Sequence, residues 1–339
     1  MSGLKNRIKA LEKLGYYLSN ISKEDSQYDP FFDAIDRAQL QNPWFEKKAC
    51  ILAIQSWGAA LKPENIARWE SEYQLKENND PKTIAVIMAG NIPLVGFHDL
   101  VSIWISGNKA LVKCATKDSI LIPFIVDFDP LFQSLTTFTD KKLEGFDAVI
   151  ATGSNNAARY FDYYFSKYPH IIRKNKNGIA VLNGAENQDD MKNLGKDMLQ
   201  YFGLGCRNVS KLYLPKGFDL NMVFGGLFPF ANIIQMNKYA NNYDYNKAVY
   251  LMSEFEFVEN GFFMLREEHT ISSPIATGHY EFYDALDPLK SHLQEKQEKI
   301  QCVVSNADIE GVISFGEAQN PQLWDYADGV DTVEFIKSL

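Results

Sequence analysis

The sequence predicts an α/β protein built of two doubly wound domains with a helical region in front of them. Three observations predict this fold. Leucine and isoleucine recur at helical spacing through residues 1–80. From residue 83 onward, a short apolar run, a turn and a helix follow one another three times. A similar alternation resumes after Asn177-Gly178. Repeats of strand, turn and helix indicate parallel sheets with helices on both faces.

The N-terminal helices are separated by turn residues. Leu4, Ile8 and Leu11 open the first helix, and Asp29-Pro30 begins the second. Asn42-Pro43-Trp44 precedes a third helix, which Lys62-Pro63-Glu64 breaks before a short fourth one. These boundaries predict four helices before the first strand.

The strands and helices of the two domains follow from apolar runs and turn signals. In the first domain we predict strands at residues 83–89, 110–113, 147–151 and 170–173, and helices at 97–106, 116–132 and 155–168. In the second we predict strands at 179–182, 211–214, 262–265, 280–283, 300–305 and 312–315, and helices at 187–202, 218–228 and 240–254. The domains are accordingly placed at 1–177 and 178–339.

Composition narrows the function classes. A net charge of −9 argues against nucleic acid or an anionic membrane as partner. No apolar run approaches the ~20 residues of a membrane span, and the N-terminus lacks the apolar core of a signal peptide. The four cysteines and five histidines are scattered without metal-ligand spacing. We therefore expect a cytoplasmic protein with reduced thiols and no metal site.

Cys206 is the candidate nucleophile. It directly follows the turn Gly203-Leu204-Gly205, between the end of a helix and an apolar strand. Glycines allow positive φ and close approach of a ligand to the backbone. A cysteine on such a turn presents its sulfur, and its own N–H is placed to stabilise an oxyanion. The neighbouring Arg207 favours the reactive thiolate.

This turn allows two other interpretations, a buried inert cysteine and a dinucleotide-binding fingerprint. A cysteine without a disulfide is usually a buried, inert apolar residue, and the polar Arg207-Asn208 beside Cys206 weakens that interpretation. The pair Gly203 and Gly205 also imitates part of a dinucleotide fingerprint. That fingerprint requires strand, glycines and helix in this order, whereas the order here is helix, glycines and strand.

Polar residues at the predicted strand ends form a second candidate site, since ligands bind at the carboxyl ends of parallel strands. Thr152-Gly153-Ser154 opens a helix and is suited to phosphate, or is an ordinary N-cap. Lys113 and Lys117 suit ribose or phosphate, or are solvated surface charges. Asn91 suits an oxyanion, or is a turn residue before Ile92-Pro93.

Four motifs together resemble the aldehyde dehydrogenase superfamily. They are Met88-Ala-Gly-Asn-Ile-Pro-Leu94, Ile105-Ser-Gly-Asn-Lys-Ala-Leu-Val-Lys113, Ala151-Thr-Gly-Ser154 and Gly203-Leu-Gly-Cys-Arg-Asn208. The sequence is most similar to the acyl-CoA reductase branch, typified by the fatty-acyl reductase of bacterial bioluminescence. The resemblance covers residues 82–215 and continues more loosely to the C-terminus.

The resemblance implies a role for each candidate residue. Cys206 matches the acylated cysteine, and Asn91 matches the asparagine that stabilises the oxyanion with the Cys206 N–H. Lys113 matches the lysine at the adenosine ribose. Gly153 and Ser154 match the pair at the pyrophosphate, with Thr152 beside them. The implied cofactor is NADPH or NADH, and Lys113 with Lys117 favours room for a 2′-phosphate.

The sequence also departs from the family pattern. Members that hydrolyse the acyl-enzyme carry a glutamate base in a Glu-Leu-Gly-Gly segment, whereas residues 174–182 here contain no carboxylate. A site without this base activates water poorly, so an acyl-CoA substrate is expected. The later glutamate at the nicotinamide ribose has no clear match in Ser272-Ser-Pro274 or His279-Tyr-Glu281. Few residues precede Asn91, which leaves a homodimer possible and the family's exchanged β-arm in doubt.

Three functions remain open from the sequence. The first is reduction of an acyl-CoA to an aldehyde through an acyl-cysteine. The second is a hydrolytic aldehyde dehydrogenase, for which Glu186 or Glu281 would have to serve as base. The third is a non-catalytic binding protein on the same fold.

Overall fold

The computed structural model describes residues 3–339, which divide into two compact units. The first unit comprises the chain up to Asn175 together with Gln322–Leu339, and the second comprises Lys176–Pro321. The predicted boundary at residue 178 places the C-terminal segment 322–339 in the second domain. In the structure this segment belongs to the first unit, where several side-chain bonds hold it. Among residues 3–339, no helix is long and apolar enough to cross a membrane.

Four helices open the first unit, as the sequence predicts: α1 Leu4–Ser19, α2 Asp29–Gln41, α3 Lys47–Ala60 and α4 Pro63–Tyr73. Leu11, Leu14 and Leu18 of α1 are fully buried, so the helical spacing of the leucines corresponds to a core-facing stripe. Pro30 and Pro63 lie in the first turns of α2 and α4, where a missing N–H costs nothing.

The first sheet consists of parallel strands in the order β3-β2-β1-β4-β5. Its strands are β1 Thr83–Ile87, β2 Lys109–Lys113, β3 Thr136–Phe138, β4 Ala148–Thr152 and β5 His170–Arg173. The accompanying helices are α5 Phe97–Ile105, α6 Leu121–Val126, α7 Pro130–Leu135 and α8 Asn155–Phe165. Because β1 lies at the centre and all strands run parallel, the residues after β1, β2 and β4 meet at one edge.

The predicted helix over residues 116–132 is wrong. Two short helices, α6 and α7, take its place, and the Asp129 carboxylate caps α7 by accepting from the Leu131 N–H. Asp118 caps no helix, since its side chain is buried in contact with Leu94. Strand β3 was not predicted because it has only three residues, of which Thr137 and Phe138 are exposed, so no buried apolar run marks it.

The second unit contains a sheet in the order β11-β6-β7-β10-β9-β8, in which β8 alone pairs antiparallel among the described strands. Its elements are β6 Asn177–Val181, α9 Gln188–Leu199, β7 Val209–Pro215, α10 Leu220–Leu227, α11 Asn237–Met252, β8 Val258–Glu259, β9 Met264–Glu267, β10 Thr277–Tyr283, α12 Leu286–Glu295 and β11 Ile300–Ser305. The predicted strand over 312–315 is wrong, because Ile313 makes only an isolated bridge to Val304.

A buried ion pair fixes the C-terminal helix α13 (Thr332–Lys337) in the first unit. Arg173 Nη1 lies 2.6 Å from Asp99 Oδ2, and Arg173 Nη2 donates to Thr332 Oγ1 at 3.0 Å. Nearby, Trp69 Nε1 donates to the Tyr326 hydroxyl at 2.7 Å. These bonds tie the end of β5, the start of α5 and the C-terminal segment together.

Replacing Asp99 by alanine is expected to destabilise the protein by about 3–5 kcal/mol, because Arg173 would remain buried without its counter-ion. Urea unfolding followed by circular dichroism measures this loss. The matched control is Asp162→Ala, which removes the exposed pair with Lys174 and should cost less than about 1 kcal/mol. Equal losses in the two variants would contradict the assignment.

Candidate active site

The carboxyl edge of the first sheet gathers the predicted cofactor residues. Ile87, the last residue of β1, is in register with Lys113 of β2 and with Ala151 of β4. Lys113 therefore lies on one side of β1, and Thr152-Gly153-Ser154 on the other. Asn91 is in the loop that leaves β1 and is exposed.

The structure shows the N-cap that was one of the two interpretations of Thr152-Gly153-Ser154. The Ser154 hydroxyl accepts from the Ala157 N–H at 3.2 Å, which makes Ser154 an ordinary N-cap. A Cβ at Gly153 would lie 2.9 Å from the Ala157 Cβ and 3.0 Å from Phe161, so the strand end closes tightly on the helix. The first-turn N–H groups of α8 have no carbonyl partner within the helix, and the one at Ala157 is satisfied by Ser154.

The two lysines differ in their surroundings. Lys113 is half-buried, and its Nζ donates to the Lys141 carbonyl at 3.3 Å. Lys117 is exposed. Lys113 is the last residue of β2 and Lys117 lies in the segment that follows it, so both residues are at the same edge of the sheet as Asn91.

The Cys206 turn begins with a left-handed backbone run. Helix α9 ends at Leu199, earlier than the predicted end at residue 202, and Tyr201, Phe202 and Gly203 have φ values of 53°, 60° and 74°. Only glycine adopts this region without strain, yet two of the three residues are buried aromatics. The sequence predicted a left-handed backbone at the glycines of this turn; Gly203 adopts it and Gly205 does not, whereas Tyr201 and Phe202, which were not predicted to adopt it, do.

Cys206 is the exposed cysteine of the chain. It occupies a corner of the turn Gly205–Asn208, in which the Asn208 N–H donates to the Gly205 carbonyl at 3.0 Å. Cys50 and Cys302 are buried, and burial raises the pKa of the Cys302 thiol to about 11. Burial likewise raises the pKa of the half-buried Cys114 to about 12. These three thiols are poor nucleophiles at neutral pH.

The Asn208 side chain holds this turn against the end of α9. It is buried, and its Oδ1 accepts from the Gly205 N–H at 2.8 Å. Its Nδ2 donates to the carbonyls of Asp197 at 2.9 Å and Gln200 at 2.8 Å. The last carbonyls of a helix lack partners within the helix. Here the Asn208 amide donates to two such carbonyls, and this also fixes the position of the residue next to Cys206 in the turn.

A second set of bonds joins the turn to the loop at residues 315–319. The buried Asp197 carboxylate accepts from the Gly316 N–H at 2.6 Å and the Ala318 N–H at 3.0 Å. Arg207 Nε donates to the Ala318 carbonyl at 2.5 Å. Sequence reasoning missed Asn208 and Asp197 in these roles, because their partners are backbone groups that no motif identifies.

Neither carboxylate considered as a hydrolytic base is available. Glu186 is buried and accepts from the N–H groups of Asn183 at 2.6 Å and Gly184 at 2.9 Å, which closes the loop after β6. Glu281 lies 2.7 Å from Lys211 Nζ and 2.5 Å from His269 Nδ1. Partial burial raises the pKa of Glu281, but these two partners outweigh it and hold that pKa below its usual value.

Solved structures identify the architecture. No protein-family model and no curated protein matches the chain. An aldehyde dehydrogenase from Mycobacterium tuberculosis, crystallised with NAD+, superposes with a TM-score of 0.64 at 10% identity, over 91% of this chain and 74% of that one. Aldehyde dehydrogenase 21 from Physcomitrella patens, in complex with succinate, gives 0.60 at 8% identity, over 99% and 88%.

A putative aldehyde dehydrogenase from Anabaena variabilis gives a TM-score of 0.63 at 13% identity, over 91% of this chain and 76% of that one. The fold is that of the aldehyde dehydrogenases. This confirms the predicted fold class of two parallel-sheet domains with N-terminal helices. Within residues 3–339, no group of three or more histidine, cysteine or acidic side chains is arranged to hold a metal ion.

Replacing Asn208 by alanine is expected to cost about 2–4 kcal/mol, because buried backbone groups of Gly205, Asp197 and Gln200 lose their partner. Hydrogen exchange at the Gly205 N–H should accelerate. Urea unfolding and exchange mass spectrometry measure the two effects. The control is Asn187→Ala, which removes the N-cap at the other end of α9; it should cost about 1 kcal/mol and leave exchange at Gly205 unchanged.

Stability should depend on pH through Asp197. Burial raises the pKa of this carboxyl to about 6, above its unfolded value of 3.8. The folded state therefore binds the extra proton, and the contribution of Asp197 to the free energy of unfolding increases as the pH falls. We expect wild type to gain up to about 3 kcal/mol over Asp197→Asn between pH 7 and pH 4 in urea titrations. Parallel pH profiles for the two proteins would contradict this.

Proposed function

We propose that the protein reduces acyl-CoA thioesters to aldehydes with NADPH or NADH, through an acyl group held on Cys206. The observation that carries this proposal is the exposed thiol on a turn whose neighbours are fixed by Asn208, within an aldehyde dehydrogenase fold. The other thiols have raised pKa values, so Cys206 is the best nucleophile that the chain offers.

The proposed first half-reaction forms the acyl-enzyme. The Cys206 thiolate attacks the thioester carbonyl carbon, and the carbonyl oxygen takes the negative charge. The N–H of Cys206 is proposed to donate to this oxyanion, and the resemblance to the family assigns the role of second donor to the side-chain amide of Asn91. The carbon–sulfur bond to coenzyme A then breaks, and coenzyme A leaves as a thiolate.

The residues at the carboxyl edge of the first sheet fit a dinucleotide. The start of α8 is proposed to bind the pyrophosphate through first-turn N–H groups other than that of Ala157, which already donates to Ser154. Lys113 and Lys117 supply positive charge at the same edge of the sheet. Two further neighbours, one from Sinorhizobium meliloti and one from P. syringae, were also crystallised with NAD or NAD+. A reduced nicotinamide, when bound, supplies the hydride that the acyl carbon accepts. Cys206 then leaves the carbon as a thiolate, and the aldehyde is released.

The chain's carboxylates favour coenzyme A over water as the acyl partner. Residues 174–182 contain no carboxylate. The Glu186 carboxylate accepts hydrogen bonds from backbone N–H groups, and the Glu281 carboxylate forms an ion pair with Lys211. Without a free base, water is a poor nucleophile, whereas coenzyme A is a thiol that exchanges with a thioester directly.

Replacing Cys206 by alanine should abolish reduction of acyl-CoA, a loss on the order of 10³-fold or more. Cofactor absorbance is followed with a panel of short, long and aryl acyl-CoAs, and intact mass detects an acyl adduct without cofactor. Wild type should gain one acyl group and Cys206→Ala none. Cys114→Ser is the control and should retain both the adduct and the activity.

Two results would reject this function. One is an absence of cofactor oxidation and of adduct with every acyl-CoA tested. The other is full activity of Cys206→Ala. Oxidation of free aldehydes to acids without coenzyme A would favour a hydrolytic dehydrogenase. An unreactive Cys206 together with no nucleotide binding would favour a binding protein.

A further inference from the structure

We infer that Asp118 is a positioning residue for Asn91, which it holds through the backbone of the loop formed by residues 90–94. This inference rests on the proposed function, in which the Asn91 amide stabilises an oxyanion. Asp118 belongs to the segment after β2, and its carboxylate crosses to the loop after β1.

The far end of the loop is held by this carboxylate. Asp118 Oδ2 accepts from the Leu94 N–H at 3.0 Å. Leu94 has a φ of 63°, a left-handed conformation that costs a branched side chain of order 1 kcal/mol or more. The hydrogen bond compensates for this strain and fixes the direction in which the chain passes from Asn91 to α5.

The near end of the loop is held by packing and by Asn42. A Cβ at Gly90 would lie 2.8 Å from the Ala115 Cβ and 3.2 Å from the Asp118 N, so the backbone there touches the segment after β2. Asn42 Nδ2 lies 3.4 Å from both the Gly90 carbonyl and the Lys117 carbonyl. Asn91 is thus exposed on a loop that is clamped at both ends.

Burying the Asp118 carboxyl costs free energy, and the carboxyl accepts only one backbone hydrogen bond in return. Asp118 is 4% exposed, and its Oδ1 has no hydrogen-bond partner among the described residues. Burial raises the pKa of Asp118 to about 7, although the Leu94 N–H opposes this. Two nearby thiols, those of Cys50 and Cys114, interact electrostatically with Asp118; burial raises the pKa of each to about 12, so both remain neutral. A buried group with an unsatisfied atom is typical of a functional position rather than a stabilising one.

Asp118→Ala removes the acceptor for the Leu94 N–H and should release the loop. We expect kcat for acyl-CoA reduction to fall about tenfold to a hundredfold, with KM for the cofactor within about twofold. Asp118→Asn keeps an acceptor oxygen and should restore kcat to within about threefold of wild type. Asp129→Ala is the matched control, because it removes an equal 3.0 Å bond to a backbone N–H in the same unit but away from the loop; its kcat should be unchanged.

A second variant covers the case in which Asp118→Ala does not fold. Gly90→Ala pushes the near end of the loop away from Ala115 and should lower kcat in the same way while leaving the KM for cofactor unchanged. Asn91→Ala provides the reference, with an expected loss of about 10²-fold in kcat.

The outcomes separate this inference from the proposed function. If Asn91→Ala lowers kcat but Asp118→Ala and Gly90→Ala do not, the inference fails and the function stands. Equal losses of kcat in Asp118→Ala and Asp129→Ala, or no rescue by Asp118→Asn, also overturn it. If Asn91→Ala and Cys206→Ala both retain wild-type activity, the proposed function itself fails.

Discussion

Backbone groups that leave a helix or strand must find new hydrogen-bond partners, and this requirement shapes both candidate sites. In the second unit, the Asn208 amide bonds to the Gly205 N–H and to the carbonyls that end α9. In the first unit, the Asp118 carboxylate bonds to the Leu94 N–H. Each side chain is buried, so its bonds are not exchanged with water. The loops that carry the exposed residues Cys206 and Asn91 are held by the buried side chains of Asn208 and Asp118.

In this arrangement, buried side chains hold the loops, and the candidate reactive residues are exposed on those loops. The carboxyl groups beneath the loops, Asp118 and Asp197, are kept in apolar surroundings that raise their pKa values. They cost folding free energy at neutral pH, which a purely structural role would not require. Cys206, by contrast, is exposed at the corner of its turn. The strained left-handed residues Tyr201, Phe202 and Leu94 lie beside these same two loops.

The sequence predicted most elements because local signals and tertiary packing agree in them. The leucine stripe of α1 and the prolines that begin α2 and α4 are examples. Prediction failed where tertiary contacts overrode the local signal in the sequence. The apolar run at 116–132 looked helical, but Asp118 turned inward to the Leu94 N–H and Asp129 began a new helix at Pro130. The run at 312–315 looked like a strand, but it has only one bridging partner.

The sequence by itself determined the fold class and the order of most strands and helices, β3 and the helices between β2 and β3 excepted. Those properties depend on periodicity and on turn residues, which are local in the chain. Only the tertiary structure decided that segment 322–339 joins the first unit, that Glu186 and Glu281 are engaged, and that Asn208, Asp197 and Asp118 support the loops. Each of these depends on a hydrogen bond or ion pair whose geometry is set by folding. The type of a residue does not predict which distant residue it will contact.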